Sequence, residues 1–454
     1  MKEELEEITM TKVMTVLEKY FLPVADRIGK QRHLMAIRNG LISTLPLTVV
    51  GSLFVIFLNL PIAGYEDLIA NIRPVLDIPF RFTVGVMALY AAFSVGHFLG
   101  ASYKVDPLSS GLLSTLGFLI SVVVPTQVTE SVDGVIEAGR YLTIADLSST
   151  SLFGAIVTAI ISVEIYRWLL QHNITIKLPS SVPPAVSSSF AALIPTAVII
   201  LLFWGIRYGL HFDINSFVTV LVSPLKSLLV GNSLIGGLIT VFLIQLFWSF
   251  GIHGEAVLGP IIRPMWDAAI LENMDAFQAS GSAHHLPNLF TEQFLQWFVQ
   301  IGGSGTTLAL AVLFLTSRVK FLKQMGKLTI IPGIFNINEP IVFGTPIVMN
   351  PLLIIPFIFT PIVLTIVSYI AMITGLVPMM MAKLPFTMIG PLGSLMSTNW
   401  SIPAAILTIV NFGISLLMYY PFFKMFEKQQ LALEIEAEAA EKIQAEKTIV
   451  VSGE

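Results

Sequence analysis

The chain of 454 residues contains no cysteine. That absence excludes disulfide bonds, cysteine-ligated zinc, iron–sulfur clusters and a thiol nucleophile in one step. The chain also has no GxxxxGK[ST] run, the phosphate-binding loop of ATP-driven transporters. Whatever this protein does, it does without thiol chemistry of its own and without an ATPase site of that type.

Charged residues are also scarce, at 12% of the sequence against 55% hydrophobic residues. The two ends hold much of this charge, and the 388 residues from 39 to 426 carry only 16 acidic and 15 basic side chains. An ordinary soluble domain has about 25% charged residues, and so little charge cannot cover a soluble surface of this size. The sequence therefore predicts an integral membrane protein. A net charge of −4 with no basic stripe argues against a nucleic-acid partner.

Long apolar runs predict an all-α membrane fold, because about 20 apolar residues cross a bilayer as a helix. Residues 1–34 predict a cytosolic amphipathic helix at the membrane surface. Residues 214–231 predict a weaker surface helix, since Pro224 and Lys226 interrupt its apolar run. The predicted spans are 35–60, 82–103, 108–126, 151–171, 189–210, 233–252, 294–317, 351–376 and 402–424.

Lysine and arginine placement predicts the orientation, because cytoplasmic loops carry an excess of these residues. They cluster before the first span, in the loop 318–327 and after the last span. Both termini are therefore expected in the cytoplasm, and the acidic segment 127–146 outside. Residues 427–454 are expected to form a charged cytosolic helix.

Two apolar segments, 328–350 and 383–400, hold too many prolines and glycines for continuous helices. Non-helical backbone at membrane depth needs protein or a water-filled cavity to satisfy its polar groups. Broken segments of this kind point to the binding site of a transporter. The alternative is that both segments are loops outside the membrane.

Two side chains are unusual for their apolar surroundings. Glu339 lies in the first broken segment between Asn338 and Pro340, where an ionisable group is costly and indicates a functional site. His253 follows an apolar run, with Trp248 five residues earlier and flanking glycines that let a ligand approach the backbone. The alternatives are a carboxylate that only shapes the hairpin and a histidine with a purely structural role.

Other polar residues are weaker candidates. Glu255, Arg263 and Asp267 fit ion pairs at the membrane boundary. The adjacent His284 and His285 have no carboxylates at ligand spacing, so no metal site is expected there.

Small residues at helical or clustered spacing predict close packing of helices. Gly96 and Gly100 form one such pair, and the run 301–305 is another. The run does not follow a strand and lacks GxGxxG spacing, which excludes a dinucleotide-binding interpretation.

Three runs of this sequence together resemble enzyme IIC, the membrane subunit of sugar phosphotransferase systems. They are WSFGIHG (248–254), IGGSGTTL (301–308) and, most specifically, GIFNINEPIVFGTPIVMNP (333–351). The likeness covers nearly the whole chain and indicates the lactose, cellobiose and diacetylchitobiose branch of the family.

The resemblance implies an all-α fold with about ten spans, two re-entrant hairpins and a homodimer. It implies that residues 35–232 form a membrane half that mediates dimerisation. Residues 233–426 would form a second half that binds the sugar and moves as a unit, with hairpins near 328–350 and 383–400.

The resemblance also implies which residues form the site. The family's essential glutamate falls on Glu339, its histidine on His253, and the aromatic residue before that histidine on Trp248. A second sugar-stacking position falls on Phe386, where the family usually has tryptophan, so the stacking face is kept and the indole donor is lost. With Asn338, these side chains are expected to bind the sugar, and Glu339 and His253 to serve in catalysis. The chemistry agrees, since a sugar site needs aromatic platforms and a few fixed polar groups.

The predicted function is that of a permease for a β-linked disaccharide in the bacterial cytoplasmic membrane. The resemblance implies that a soluble enzyme IIB, charged on a cysteine, phosphorylates the C6 hydroxyl of the sugar, with enzyme IIA, HPr and enzyme I acting upstream. This cysteine-free chain carries no phosphoryl group itself, and no cofactor or metal is expected. The alternative is an ion-coupled secondary sugar transporter, which broken helices and a buried glutamate also fit. A membrane-embedded hydrolase lacks a suitable metal set or Ser/His/Asp arrangement.

Overall fold

The chain is mostly helical and divides into two compact units. The first unit comprises Met1–Gly231 and Glu255–Gly281, and the second comprises Asn232–Gly254 and Ser282–Glu454. The chain therefore passes from one unit to the other three times. The computed structural model describes residues 31–60, 62–128, 139–176, 178–179, 182, 187, 190–251, 253–345, 347 and 350–452. The predicted amphipathic helix of residues 1–34 lies almost wholly outside these residues.

Helices account for nearly all the regular structure described. The strands β1 (Thr126–Val128) and β2 (Gly139–Tyr141) form one antiparallel pair with Gln127 opposite Arg140. In chain order the helices are α1 (Arg32–Ser43), α2 (Leu45–Leu58), α3 (Tyr65–Ile69), α4 (Arg73–Leu76), α5 (Ile78–Thr83), α6 (Met87–Tyr103), α7 (Pro107–Val122), α8 (Leu152–Gln171), α9 (Leu193–Trp204), α10 (Ile214–Leu229), α11 (Leu234–Ser249), α12 (Gly254–Ser280), α13 (Glu292–Phe294), α14 (Leu308–Leu315), α15 (Lys320–Ile334), α16 (Glu339–Gly344), α17 (Pro351–Ile373), α18 (Gly390–Ser397) and α19 (Ile402–Ser452).

Five helical segments of the described residues are long and apolar enough to cross a membrane, and two bent pairs raise the total to seven. The five are Arg32–Leu58, Arg73–Tyr103, Ser149–Gln171, Leu352–Ile373 and Ile402–Glu436. The bent pairs are Leu193–Gly209 with Ile214–Lys226, at 81°, and Glu292–Thr306 with Leu308–Leu315, at 58°. The predicted span 294–317 is therefore a broken element rather than one continuous helix.

The first unit packs its helices closely through small residues. A Cβ atom added at Gly96 of α6 would lie 2.1 Å from the Ser114 Oγ of α7. One added at Gly100 would lie 2.2 Å from Ser110 Oγ. No side chain fits at either distance, so the close packing predicted for this glycine pair is confirmed.

Helix α12 belongs to the first unit, although its sequence lies inside the predicted second half, 233–426. Its Glu272 forms an ion pair with Lys226 of α10. Its Asp275 accepts a hydrogen bond from Ser149 Oγ at 2.6 Å. Burial raises the pKa of the Asp275 carboxyl, while this hydrogen bond opposes the rise. Both contacts are distant in sequence, which is why the pattern of apolar runs did not indicate this exchange between the halves.

Candidate functional site

The first broken segment turns sharply between α15 and α16. Helix α15 continues through Pro332 and ends at Ile334, followed by Asn336 with a left-handed φ of 61°. The Asn336 N–H donates to Gly333 O and the Ile337 N–H to Pro332 O, both at 3.0 Å. This is the double hydrogen bond of a Schellman helix end, and asparagine is one of the few residues that tolerates its left-handed position.

Asn338 and Glu339 point in different directions at the start of α16. Asn338 is only 5% exposed, and its Nδ2 donates to Ser304 O at 2.8 Å. Ile341 and Val342 are also buried, whereas Glu339 is exposed. The sequence predicted a carboxylate enclosed in an apolar hairpin. The structure instead exposes Glu339, because the buried face of α16 is occupied by its two aliphatic side chains.

An aromatic cluster connects α11 to α16. The Trp248 ring lies 4.4 Å from the His253 ring and 6.0 Å from the Phe343 ring, centroid to centroid. Trp248 is 2% exposed, so its ring is covered, while Phe343 is 59% exposed. His253 is exposed as well. The open aromatic surface of this cluster therefore belongs to Phe343, which was not among the residues predicted from the sequence. Its spacing of four residues from Glu339, on one face of a helix, is the signal that could have found it.

Phe386 stands on a tight turn in the second broken segment. The Met388 N–H donates to Pro385 O at 3.0 Å, and Phe386 within that turn is 54% exposed. The buried amide of Gln293 fixes the residue before the turn, accepting from Leu384 N at 2.9 Å and donating to Leu384 O at 3.3 Å. The Phe386 ring is therefore exposed on a turn whose preceding residue is fixed by two hydrogen bonds to Gln293.

A buried ion pair lies beside this clamp. Lys383 Nζ is 3.2 Å from Glu292 Oε2, and the two side chains are largely shielded from solvent. Removing one member of such a pair leaves an uncompensated buried charge, which destabilises a fold strongly. The pair therefore ties the loop that carries Phe386 to the helical segment that begins at Glu292.

The glycine run 301–305 makes a turn rather than a helix–helix contact. Gly302, Gly303, Gly305 and Thr306 all have positive φ. A Cβ atom at Gly303 would lie 2.6 Å from the side chain of Asn338. The glycines are needed both for the left-handed backbone and for the close approach of the first broken segment.

Several buried polar atoms of the second unit have no hydrogen-bond partner among the described residues. Both amide atoms of Gln245 are in this state, one helical turn before Trp248, whose Nε1 is also unpartnered. Buried polar groups in native proteins are normally satisfied, so such groups indicate a strained or ligand-binding region. The hydroxyls of Thr240, Thr345 and Thr360 share this condition. An isolated glutamine in an apolar run is the sequence signal that could have indicated Gln245.

The weaker candidates are carried by other parts of the chain. Glu255, Arg263 and Asp267 lie on α12, in the first unit. His284 and His285 are exposed in the loop after α12. In the part of the chain that the structure describes, no three His, Cys, Asp or Glu side chains are grouped as metal ligands would be.

The predicted site residues all lie in the second unit, and the elements that carry them are in contact. Helix α16, which begins at Glu339, reaches Trp248 through Phe343. The turn before α16 reaches the loop of Phe386, because Asn336 Nδ2 donates to Phe386 O at 2.8 Å. The predicted residues in this connected set are Trp248, His253, Asn338, Glu339 and Phe386.

These features define a polytopic helical membrane protein with polar and aromatic side chains gathered around broken helices. Residues 38–361 match the family model described as "Phosphotransferase system, EIIC". The chain belongs to this family and is a membrane permease subunit of the phosphotransferase system.

The similarity to known proteins covers nearly the whole chain. It is 42% identical to the lichenan permease IIC component of Bacillus subtilis (strain 168), covering 94% of this chain and 97% of that one. It is 44% identical to the cellobiose-specific EIIC component of Geobacillus stearothermophilus, covering 94% and 96%. The crystal structure of the transporter ChbC, the IIC component from the N,N'-diacetylchitobiose-specific phosphotransferase system, superposes with a TM-score of 0.83 at 42% identity, over 92% of this chain and 99% of that one.

Proposed function

We propose that this chain binds a β-linked disaccharide, such as cellobiose or diacetylchitobiose, and carries it across the bacterial cytoplasmic membrane. It then presents the C6 hydroxyl to a phosphocysteine on enzyme IIB. The names of the relatives support this substrate class. The observation that carries the proposal is the connected set in which an exposed carboxylate, Glu339, and an exposed aromatic ring, Phe386, belong to neighbouring turns.

The side chains have complementary roles in this proposal. The rings of Phe386 and Phe343 offer apolar faces to the sugar. The Glu339 carboxylate accepts a hydrogen bond from the C6 hydroxyl, and His253 donates to a neighbouring oxygen or to the incoming phosphoryl group. As the new O–P bond forms, the S–P bond of the phosphocysteine breaks and leaves a thiolate on enzyme IIB, and the hydroxyl proton passes to the Glu339 carboxylate. Such a transfer depends mainly on in-line positioning and charge stabilisation.

Asn338 and Trp248 were predicted to contact the sugar, but both side chains are buried. Asn338 serves the turn with its buried amide, and Trp248 supports His253 with a covered ring. In the conformation described, both act as supports for the side chains around them. A direct contact of either with sugar requires the site to rearrange when it is occupied.

The wider arrangement also belongs to this proposal. The chain forms about ten spans with both termini in the cytoplasm and dimerises through its first half, 35–232. The second half carries the sugar, and membrane lipid surrounds both. The basic segment 318–327, which was expected to be a loop, lies mostly in the first turns of helix α15. It contributes to the enzyme IIB surface, where Glu427 of α19 accepts from Ser317 Oγ at 2.7 Å and from Arg318 N at 2.8 Å. Enzyme IIA, HPr and enzyme I supply enzyme IIB.

Uptake into membrane vesicles tests the proposal directly. Labelled cellobiose, diacetylchitobiose and lactose are each offered with phosphoenolpyruvate and the soluble components, and the accumulated label is analysed for sugar phosphate. We expect accumulation of phosphorylated cellobiose or diacetylchitobiose that survives collapse of the ion gradient. Accumulation of unmodified sugar that needs a proton or sodium gradient would instead support the ion-coupled alternative.

A further inference from the structure

The side chain of Asn336, in the first broken segment, links that segment to the second broken segment, 383–400, and to the glycine run 301–305. Asn336 Nδ2 donates to Phe386 O at 2.8 Å and to Met388 O at 3.1 Å. Its Oδ1 accepts from the backbone N–H of Gly302 at 3.0 Å. The amide therefore uses both of its donor hydrogens and its acceptor on backbone groups of two other segments.

The backbone at Asn336 fixes the direction of that amide. Its φ of 61° places it at the left-handed end of α15, three residues before Glu339. Glycine and asparagine are the residues that adopt this conformation most readily. Glycine at position 336 would also adopt the left-handed φ. The conformation of the helix end therefore does not explain why this position has an amide side chain with three hydrogen-bond partners.

The turn of Phe386 depends on this contact. Gln293 anchors the backbone at Leu384, two residues before Phe386. Beyond Pro385, the carbonyl groups that Asn336 holds belong to Phe386 itself and to Met388, the closing residue of the turn. Gln293 therefore holds the base of the loop, and Asn336 holds its tip.

We propose that Asn336 is a positioning residue that sets the place of the Phe386 ring relative to the Glu339 carboxylate. It does not need to touch the sugar. It keeps the stacking face and the hydroxyl-binding carboxylate in register as one rigid element, so that stacking at Phe386 aligns the hydroxyl at Glu339. The inference rests on the proposed function and assigns one determinant of affinity and alignment within that site.

Two substitutions separate the side chain from the backbone. Asn336→Gly keeps the left-handed conformation without strain and deletes all three hydrogen bonds. Asn336→Asp keeps an acceptor for Gly302 N–H but places a carboxylate against the carbonyl groups of Phe386 and Met388. A matched control is Asn173→Gly, because Asn173 also has a left-handed φ of 59° but is exposed in the first unit.

The purified variants are compared by thermal unfolding, by disaccharide affinity and by sugar-phosphate formation at saturating sugar with phosphorylated enzyme IIB. We expect both Asn336 variants to bind about tenfold more weakly, as for loss of a coupling between groups in contact. We expect phosphorylation at saturation to fall by about tenfold or more, since misplaced reacting groups lose rate. Asn173→Gly should match the wild type in both. If Asn336→Asp folds poorly, Asn336→Gly, which imposes no backbone strain, decides the test.

A second measurement separates positioning from a general loss of structure. Phe386→Leu is introduced into the wild type, into Asn336→Gly and into Asn173→Gly, and the disaccharide affinities are compared. We expect Phe386→Leu to weaken binding in the wild type and in the control but to add little to Asn336→Gly, where the ring is already misplaced. Full additivity in the Asn336→Gly background, or wild-type affinity and rate in Asn336→Gly, overturns the inference. Failure of the wild type to bind or phosphorylate any disaccharide overturns the proposed function instead.

Discussion

Among the described residues, the two units differ in how many buried polar atoms lack a hydrogen-bond partner. In the first unit, Glu164 accepts hydrogen bonds from Tyr103 and from His33, the latter at 2.9 Å, and pairs with Arg167 at 2.8 Å. The guanidinium groups of Arg32 and Arg167 each lie 4.4 Å from the centre of the Tyr103 ring. Each charge in this cluster has a protein partner, so the cluster joins α1, α6 and α8.

The second unit instead contains most of the backbone with positive φ and most of the buried polar atoms that lack a hydrogen-bond partner among the described residues. Of the fifteen described residues with positive φ, ten lie in this unit. Most of the buried polar atoms without a partner also lie there, including those of Gln245 and Trp248. Strained backbone and unsatisfied groups persist where function requires them. This difference supports the proposal that the sugar binds in the second unit.

The largest expected effect is on sugar-phosphate formation, and it appears when one glutamate in each unit is replaced by glutamine. Glu339→Gln removes the charge that accepts the sugar hydroxyl, and we expect sugar-phosphate formation to fall about hundredfold or more, with little change in thermal stability. Glu164→Gln breaks the cluster of the first unit and should lower the unfolding temperature while the folded protein keeps its activity. Phosphorylation assays and thermal unfolding of both variants check this. Normal phosphorylation by Glu339→Gln would remove Glu339 from the chemistry.

A second prediction concerns the close packing of the first unit. Gly96→Ala forces a methyl group against Ser114, and we expect a destabilisation of about 1–3 kcal/mol, as for other overpacked interiors. Gly205→Ala is the matched control, because a Cβ atom there meets no atom within 4 Å. Thermal unfolding in detergent measures both variants. Equal stability of the two would show that α6 and α7 are not held at the distance described.

A third prediction concerns the unpartnered amide of the second unit. Gln245→Leu replaces a buried group without hydrogen bonds by an apolar side chain of similar size, so stability should hold or rise. If the amide is kept for sugar, affinity should fall by about tenfold, which corresponds to about 1.4 kcal/mol. Calorimetric titration with disaccharide and thermal unfolding check the two parts. Unchanged affinity with raised stability would reduce Gln245 to a packing residue.

The smallest effect concerns pH and the first unit. Because burial raises the pKa of Asp275, its contribution to stability is fully present below the ordinary aspartate pKa. That contribution is lost as the pH rises through the raised value. Asp275→Asn still accepts from Ser149 and never ionises, so it should unfold a few degrees higher at pH 8 and match the wild type in acid. Unfolding curves across this range test it, and a difference independent of pH would contradict the assignment.

The sequence predicted the class and the apolar helices, because composition and the 333–351 run are local signals. That Glu339, His253 and Phe386 form one sugar site stays a prediction. It could not predict the break at Gly302–Thr306, since clustered glycines fit a helix contact and a turn equally well. Nor could it assign α12 to the first unit, because the contacts through Lys226 and Ser149 come from distant parts of the chain. The contact of the Trp248 ring with Phe343 likewise joins residues 95 positions apart.

The threefold crossing of the chain between the units has a mechanical consequence. If the second half moves as a unit, as the resemblance implies, the backbone around residues 231–232, 254–255 and 281–282, where the chain passes between the units, has to accommodate the motion. Each of these connections contains a glycine, and Gly281 has a left-handed φ of 69°. His253 directly precedes the middle connection, so the backbone that would accommodate the motion begins one residue from a side chain predicted to meet the phosphoryl group.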